Sequence, residues 1–178
     1  MSTITRPGWD TYFMRLAYLA ATRATCARKH VGALIVDPYH RVVSTGYNGA
    51  PAGQPSCDEI GHEMVENHCV RTLHAESNAI DYAGRAAAGC TLYVTITPCY
   101  DCAKRIVNSG IVRVIWDEYY SSRYEKSGHV ADFLRSAQLE VGQMPAGYMK
   151  PFRDMLQTID NSAPLELVSP GIAPTPIG

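Results

Sequence analysis

The stretch Leu92-Tyr93-Val94-Thr95-Ile96-Thr97-Pro98-Cys99-Tyr100-Asp101-Cys102, followed after one helix length by Gly110-Ile111-Val112-Arg113-Val114-Ile115-Trp116, reads as strand, helix, strand. β-branched and aromatic residues dominate 92–95 and 112–116. Pro98 suits the first turn of a helix, where its missing N–H has no partner to lose, and Gly110 closes that helix. Working outward, a helix is expected over 74–87, ended by Gly89, and another over about 130–137 before a short strand at 139–141. Toward the N-terminus, residues 31–36 and 41–47 form a strand pair around the turn Asp37-Pro38-Tyr39-His40. Trp9, Tyr12, Phe13, Leu16, Ala17, Leu19 and Ala20 recur at helical spacing, predicting an amphipathic helix over 9–25. Strands alternating with helices after a first hairpin give an α/β fold with a mixed central sheet of about five strands and helices on both faces.

Asn48-Gly49 ends the hairpin and 50–55 is loop. Residues 57–71 are polar and weakly periodic, and are expected as an irregular loop with one helical turn. From Asn161, Pro164, Pro170, Pro174 and Pro176 interleave with Gly and Ser. The expected organisation is one domain over 1–160 and a Pro-rich tail over 161–178.

The chain has 178 residues, enough to bury a core without disulfides. Its 16 basic and 17 acidic residues leave a formal charge of −1, which gives no electrostatic reason to expect long nucleic acid or an anionic membrane as partner. No apolar stretch approaches the roughly 20 residues that span a bilayer. Residues 1–9 lack the plan of a secretory signal. A cytoplasmic location is expected, and there six cysteines are better read as metal ligands or catalytic groups than as disulfides.

The chemistry concentrates in His74-Ala75-Glu76 and Pro98-Cys99-Tyr100-Asp101-Cys102. Cys99 and Cys102, three apart in a helix's first turn, share a face. A helix N-terminus favours the thiolate that a metal needs. His74 can supply a third ligand, and a His/Cys/Cys set leaves one tetrahedral position open, as a catalytic zinc requires. Such an ion lowers the pKa of water from about 16 toward 7. Glu76, two residues after His74, is poorly placed as a ligand and well placed as a carboxylate that carries protons beside that water. The bland alternatives are half of a structural zinc site and a hydrogen-bonded surface histidine, and neither accounts for Glu76 or Pro98. A second set, Cys26, Cys57, His62 and Cys69, suits a structural zinc that fixes the polar loop, with His68 able to displace one of them. Ordinary buried thiols and solvated histidines are the other reading. Cys90, alone beside Gly89, is expected to be a packed core thiol.

The combination of H-x-E with P-C-x-x-C is the signature of zinc deaminases. Over roughly residues 9–141 the chain resembles the deoxycytidylate (dCMP) deaminase family. The likeness extends to Thr25-Cys26, Arg28 and Val31-Gly32-Ala33, to Gly46-Tyr47-Asn48-Gly49-Ala50-Pro51-Ala52-Gly53, and to His68-Cys69-Val70-Arg71-Thr72 leading into His74. The resemblance implies a three-layer cytidine-deaminase-like fold and hydrolysis of dCMP to dUMP and ammonia. It implies that Asn48 and Ala75 contact the substrate nucleoside and that Tyr120 reaches its phosphate. It further implies a homohexamer, activated by dCTP and inhibited by dTTP, with Mg2+ accompanying the nucleotide and Arg85, Asn48, Gly49 and Gly53 at the regulatory site. A phage-encoded member would act in the host cytoplasm. His62 departs from members that carry cysteine there, and no family motif maps beyond about residue 141.

Deaminases of cytidine, of transfer-RNA adenosine and of a riboflavin precursor share the zinc pattern. A polynucleotide enzyme needs a basic stripe, whereas Arg28, Lys29, Arg123 and Lys126 suffice for one nucleotide's phosphate. A non-catalytic zinc-stabilised nucleotide sensor is a rival of another class, and it has no use for Glu76.

Overall fold

A computed structural model describes residues 6–119 and 129–159. A five-stranded sheet in the order β2-β1-β5-β6-β7 forms its centre: β1 (Gly32–Val36), β2 (Val42–Tyr47), β5 (Thr91–Ile96), β6 (Arg113–Glu118) and β7 (Glu140–Gln143). β1 pairs antiparallel with both β2 and β5, while β5–β6 and β6–β7 are parallel. Parallel neighbours need long crossovers, here supplied by α4 (Tyr100–Asn108) and α5 (His129–Ser136).

All five residues of β1 are buried, because both faces of the sheet are covered. Ala33 and Ile35, with Leu92, Val94, Val114 and Trp116, face one layer built from α3 (Ala75–Ala83), α4 and α5. Leu34 and Val36, with Tyr93 and Ile115, face the other, where α1 (Trp9–Ala21) contributes Phe13, Met14, Ala17 and Tyr18. The period-2 alternation of the strands thus feeds two separate cores, and the mixed sheet with helices on both faces matches the expectation.

Gly46 of β2 lets α3 approach: a Cβ there would stand 2.1 Å from the carbonyl oxygen of Ala75 and 2.6 Å from the nitrogen of Ala79. Gly32 does the same for α1, with 1.9 Å to the carbonyl oxygen of Ala17. α1 is further pinned by Asp10, which accepts from Arg113 Nη1 at 2.8 Å, Arg113 Nη2 at 3.0 Å and the Tyr93 hydroxyl at 2.7 Å.

Several local expectations are corrected. The first helix stops at Ala21 rather than 25, and the Cys26 segment turns back so that the N–H of Thr25 donates to the carbonyl oxygen of Asn48. The helix expected over 74–87 breaks at Gly84 (φ 53°, ψ −132°) and continues as a 3-10 turn, Gly84–Ala87. The polar loop carries more order than expected: a short helix α2 (Cys57–Ile60) and a two-stranded ribbon of β3 (Met64–Val65) and β4 (His68–Cys69). Glu66 and Asn67 turn that ribbon with φ of 46° and 67°, as a two-residue hairpin requires. A sixth helix, α6 (Lys150–Thr158), follows β7 where no element was expected, and packs Phe152 and Leu156 against the α1 layer. No helix among the described residues is long and apolar enough to cross a membrane. The proposed tail over 161–178 lies outside the described residues.

Candidate active site

His74 is the N-cap of α3, with an extended backbone (φ −75°, ψ 152°). Cys99 is the N-cap of α4 (φ −74°, ψ 169°). The expectation that Pro98 opens the latter helix is therefore shifted: Pro98 precedes the cap, and Cys99 Sγ takes the capping role by accepting the Cys102 N–H at 3.5 Å. The two helix starts meet, so their partial positive charges converge on the thiols.

His74 Nδ1 lies 3.5 Å from Cys99 Sγ and 3.4 Å from Cys102 Sγ. Around a tetrahedral zinc, nitrogen and sulfur ligands at about 2.0 and 2.3 Å sit about 3.5 Å apart, so these three donors fit that ion. Their electrostatics agree. The Cys102 thiol and then the His74 ring hold Cys99 down to about 4. The hydrogen bond to Cys99 lifts His74 to about 9, while Cys99 and burial push Cys102 upward. Cys102 also contacts the Ser77 hydroxyl at 3.8 Å.

Glu76 is 4% exposed, and burial raises its pKa. It lines a cavity of about 670 Å³ together with all but one of the triad, Cys102 lying just behind the wall. Thr72, Ile96, Thr97 and His129 also line this cavity, as do Arg28 and Lys29. A volume of that size holds one small ligand. Thr97 and His129 were not expected there. Thr97 reads as a strand end, and His129 enters only through the placement of α5, so neither carries a local signal.

Asn48 is buried at the cavity wall. Its Oδ1 accepts the Val31 N–H at 2.8 Å and its Nδ2 donates to the Lys29 carbonyl at 2.8 Å. The amide thus sets the path of the Arg28–Lys29 backbone, leaving one N–H uncommitted by these two bonds. Ala75 lies on the same wall. Gly49 bridges to Leu73, tying this loop to the segment before His74. Tyr120 lies outside the described residues, as do Arg123 and Lys126. Arg85 is exposed in the 3-10 turn at the far end of α3, about 13 Å of helix from Glu76, and does not line the cavity. Gly53 is an exposed loop glycine with φ 79°.

The second group also assembles. Cys26 Sγ lies 3.6 Å from His62 Nδ1, Cys57 Sγ lies 3.5 Å from Cys69 Sγ, and all four donor atoms fall within 4.8 Å of one another. Burial and then the adjacent Cys69 and Cys26 thiols push Cys57 up to about 12, a conflict that a divalent cation relieves by letting the thiols ionise. His62 supplies the ring nitrogen here, whereas His68 lines the cavity. Cys26 and Cys69 form part of the cavity wall too, so this group buttresses the site. Cys90 is buried in the core, as expected.

Residues 7–118 match the model of the cytidine and deoxycytidylate deaminase zinc-binding region. The chain is 39% identical over 142 residues to ComE operon protein 2 of Bacillus subtilis (strain 168), a match covering 78% of this chain and 72% of that protein. It is 42% identical over 126 residues to the deoxycytidylate deaminase of Mycobacterium phage D29, covering 64% of this chain and 97% of that one. Among solved structures it is similar to dCMP deaminase from the cyanophage S-TIM5 in complex with dCMP and dUMP, with TM-score 0.65, 27% identity, and coverage of 79% of this chain and 99% of that chain. The chain belongs to the cytidine and deoxycytidylate deaminase family and carries that family's zinc-binding region.

Proposed function

We propose that the protein hydrolyses dCMP to dUMP and ammonia. The carrying observation is one cavity that holds a buried Glu76 beside the His74/Cys99/Cys102 donor set and places Arg28 and Lys29 on its wall. Relatives named deoxycytidylate deaminase and a neighbour solved with dCMP and dUMP support the choice of substrate. His74, Cys99 and Cys102 would hold a zinc ion, which would supply the Lewis acidity that brings a water's pKa toward neutrality. Glu76 takes one proton from the attacking water and delivers it to the ring nitrogen as the carbon–oxygen bond forms. It then takes the second proton from the new hydroxyl and gives it to the amine, so that ammonia leaves as the carbonyl forms and the carboxylate is restored. Its burial suits this role, because desolvation raises the carboxyl's pKa above the ordinary carboxylate value and so favours recovery of the proton it takes. Asn48 and Ala75 hold the nucleoside, and Arg28, Lys29 and Tyr120 take the phosphate.

Cys26, Cys57, His62 and Cys69 form a closed set of four protein ligands, which suits a structural zinc. The family resemblance supports a cytoplasmic homohexamer in which dCTP with Mg2+ activates and dTTP inhibits, through Arg85, Asn48, Gly49 and Gly53. It also supports one catalytic domain over 1–160 with the Pro-rich segment 161–178 as a tail.

The test is ammonia release from dCMP, deoxycytidine, cytidine and an adenosine-bearing RNA hairpin, with and without dCTP–Mg2+. Release from dCMP, stimulated by dCTP, is expected. Release from cytidine or the hairpin alone overturns the substrate. No release from any of them, in protein holding zinc, points to the nucleotide sensor instead.

A further inference from the structure

The carboxylate of Glu118, at the C-terminal end of β6, stands between two cations from opposite directions. Its Oε2 lies 3.4 Å from Nζ of Lys29 on the cavity wall, and its Oε1 pairs with Nη1 of Arg153 from α6. The same residue's carbonyl oxygen accepts both the N–H of Thr97 at 2.8 Å and its hydroxyl at 3.2 Å, fixing the strand end that leads into Pro98 and Cys99. Arg153 is itself held: its guanidinium lies 5.8 Å from the ring centre of Tyr18, whose hydroxyl donates to the buried Asp117 at 2.5 Å. Phe152 and Leu156 seat α6 against the α1 layer.

We propose that Glu118 and Arg153 are positioning residues for nucleotide phosphate. Glu118 holds the Lys29 ammonium at the cavity wall, and Arg153 of α6 neutralises Glu118 so that Lys29 keeps charge to offer. The inference rests on the reading of Lys29 as a phosphate ligand. Two cations and one anion give the trio a net charge of +1. Without Arg153 the remaining pair is neutral, and Glu118 draws Lys29 wholly to itself. An incoming phosphate then competes with a carboxylate for one ammonium. Helix α6, which bears no motif and lies outside the sheet, thereby becomes part of the machinery that distinguishes nucleotide from nucleoside.

The test compares binding of dUMP and deoxyuridine to the zinc-loaded full chain by calorimetry, since their ratio of dissociation constants reads the phosphate alone and needs no turnover. Arg153→Leu is expected to weaken dUMP about fivefold and leave deoxyuridine unchanged, with the loss shrinking as salt rises. Arg153→Lys keeps dUMP affinity within about twofold of the parent. The double variant Arg153→Leu/Glu118→Gln, which removes the competing carboxylate, recovers most of the loss. A merely structural helix contact predicts the reverse: equal weakening of both ligands, and a double variant worse than the single. Either of those results, or no change in Arg153→Leu, overturns the proposal. Lys29→Met separates the two levels of argument. If it leaves the dUMP-to-deoxyuridine ratio unchanged, the phosphate reading of Lys29 itself fails. If it collapses the ratio while Arg153→Leu does not, only the positioning role fails.

Discussion

Glu76 combines two properties that single side chains rarely hold together: near-complete burial and immediate proximity to a metal-ligand set. A carboxylate buried this deeply survives only where it has charged or donor partners, and His74 and Cys102 are the ones beside it. Replacing it by glutamine preserves shape and hydrogen bonding but removes proton transfer. Glu76→Gln is therefore expected to retain zinc and bind dUMP near parental affinity while kcat falls about 10³-fold or more. Metal analysis, calorimetry and ammonia release check this together, and a variant that keeps turnover removes Glu76 from the mechanism. Asn48 shows how a single residue can serve structure and site at once. Its two bonds to Val31 and Lys29 hold the wall on which Lys29 stands, so its effect on substrate reaches beyond any direct contact.

At the scale of elements, the site depends on how closely α3 sits on β2 and α1 on the sheet. Gly46→Ala drives a Cβ into the backbone of Ala75 and Ala79, and Gly32→Ala into that of Ala17. Both should cost about 1–3 kcal/mol of stability. Only the former moves the helix that carries His74 and Glu76, so kcat/KM of folded Gly46→Ala should fall about 10²-fold while Gly32→Ala stays near parental. Denaturant midpoints and kinetics distinguish the two, and equal kinetics would uncouple α3 placement from catalysis. α1 is fastened by Asp10, whose carboxyl Arg113 holds below its ordinary value. A carboxylate with a depressed folded pKa stabilises above its unfolded pKa, and that contribution fades as pH falls through the folded one. The Asp10 side chain is 44% exposed, which limits the gain to about 1 kcal/mol. Asp10→Asn should thus lower the urea midpoint at pH 7, with the gap to the parent beginning to narrow as pH falls below about 4 and continuing to narrow through the lowered folded pKa. A gap that does not change with pH across the acid range would assign the loss to packing. The same scale shows what the sequence made legible. Strand alternation and the grouping of His74 with Cys99 and Cys102 were readable because spacing is itself the signal, whereas the second group was readable only from the Cys and His content of its loop, which left His62 and His68 as alternatives. The Cys99 cap, the break at Gly84 and the Glu66-Asn67 turn were not, because backbone choices at single residues decided them. α6 escaped notice because its apolar residues, Phe152 and Leu156, take meaning only from the α1 surface they cover.

For the molecule as a whole, cohesion and chemistry are built from different materials. Two apolar layers, one on each face of the sheet, hold the fold, and neither contains a residue of the two Cys/His groups. The ligand sets instead join segments of low apolar content: the start of α3 to the start of α4, and the loop carrying Cys57, His62 and Cys69 to Cys26. Outside the group of Cys26, Cys57, His62 and Cys69, the loop is held in part by exposed bonds, as with Arg71 on Glu63 and on the carbonyl of Gly61. Zinc removal should therefore leave the sandwich folded and release the loop. Treatment with a strong chelator is expected to abolish activity, retain the far-UV circular dichroism spectrum, lower Tm by several degrees, and open residues 57–73 to protease, with cutting centred on the Glu66-Asn67 turn. His62→Ala should reproduce the protease sensitivity while keeping one zinc per chain in the catalytic set. Cooperative unfolding on chelation would instead show that the apolar layers alone do not hold the chain, and that the metal-ligand sets belong to its folding core.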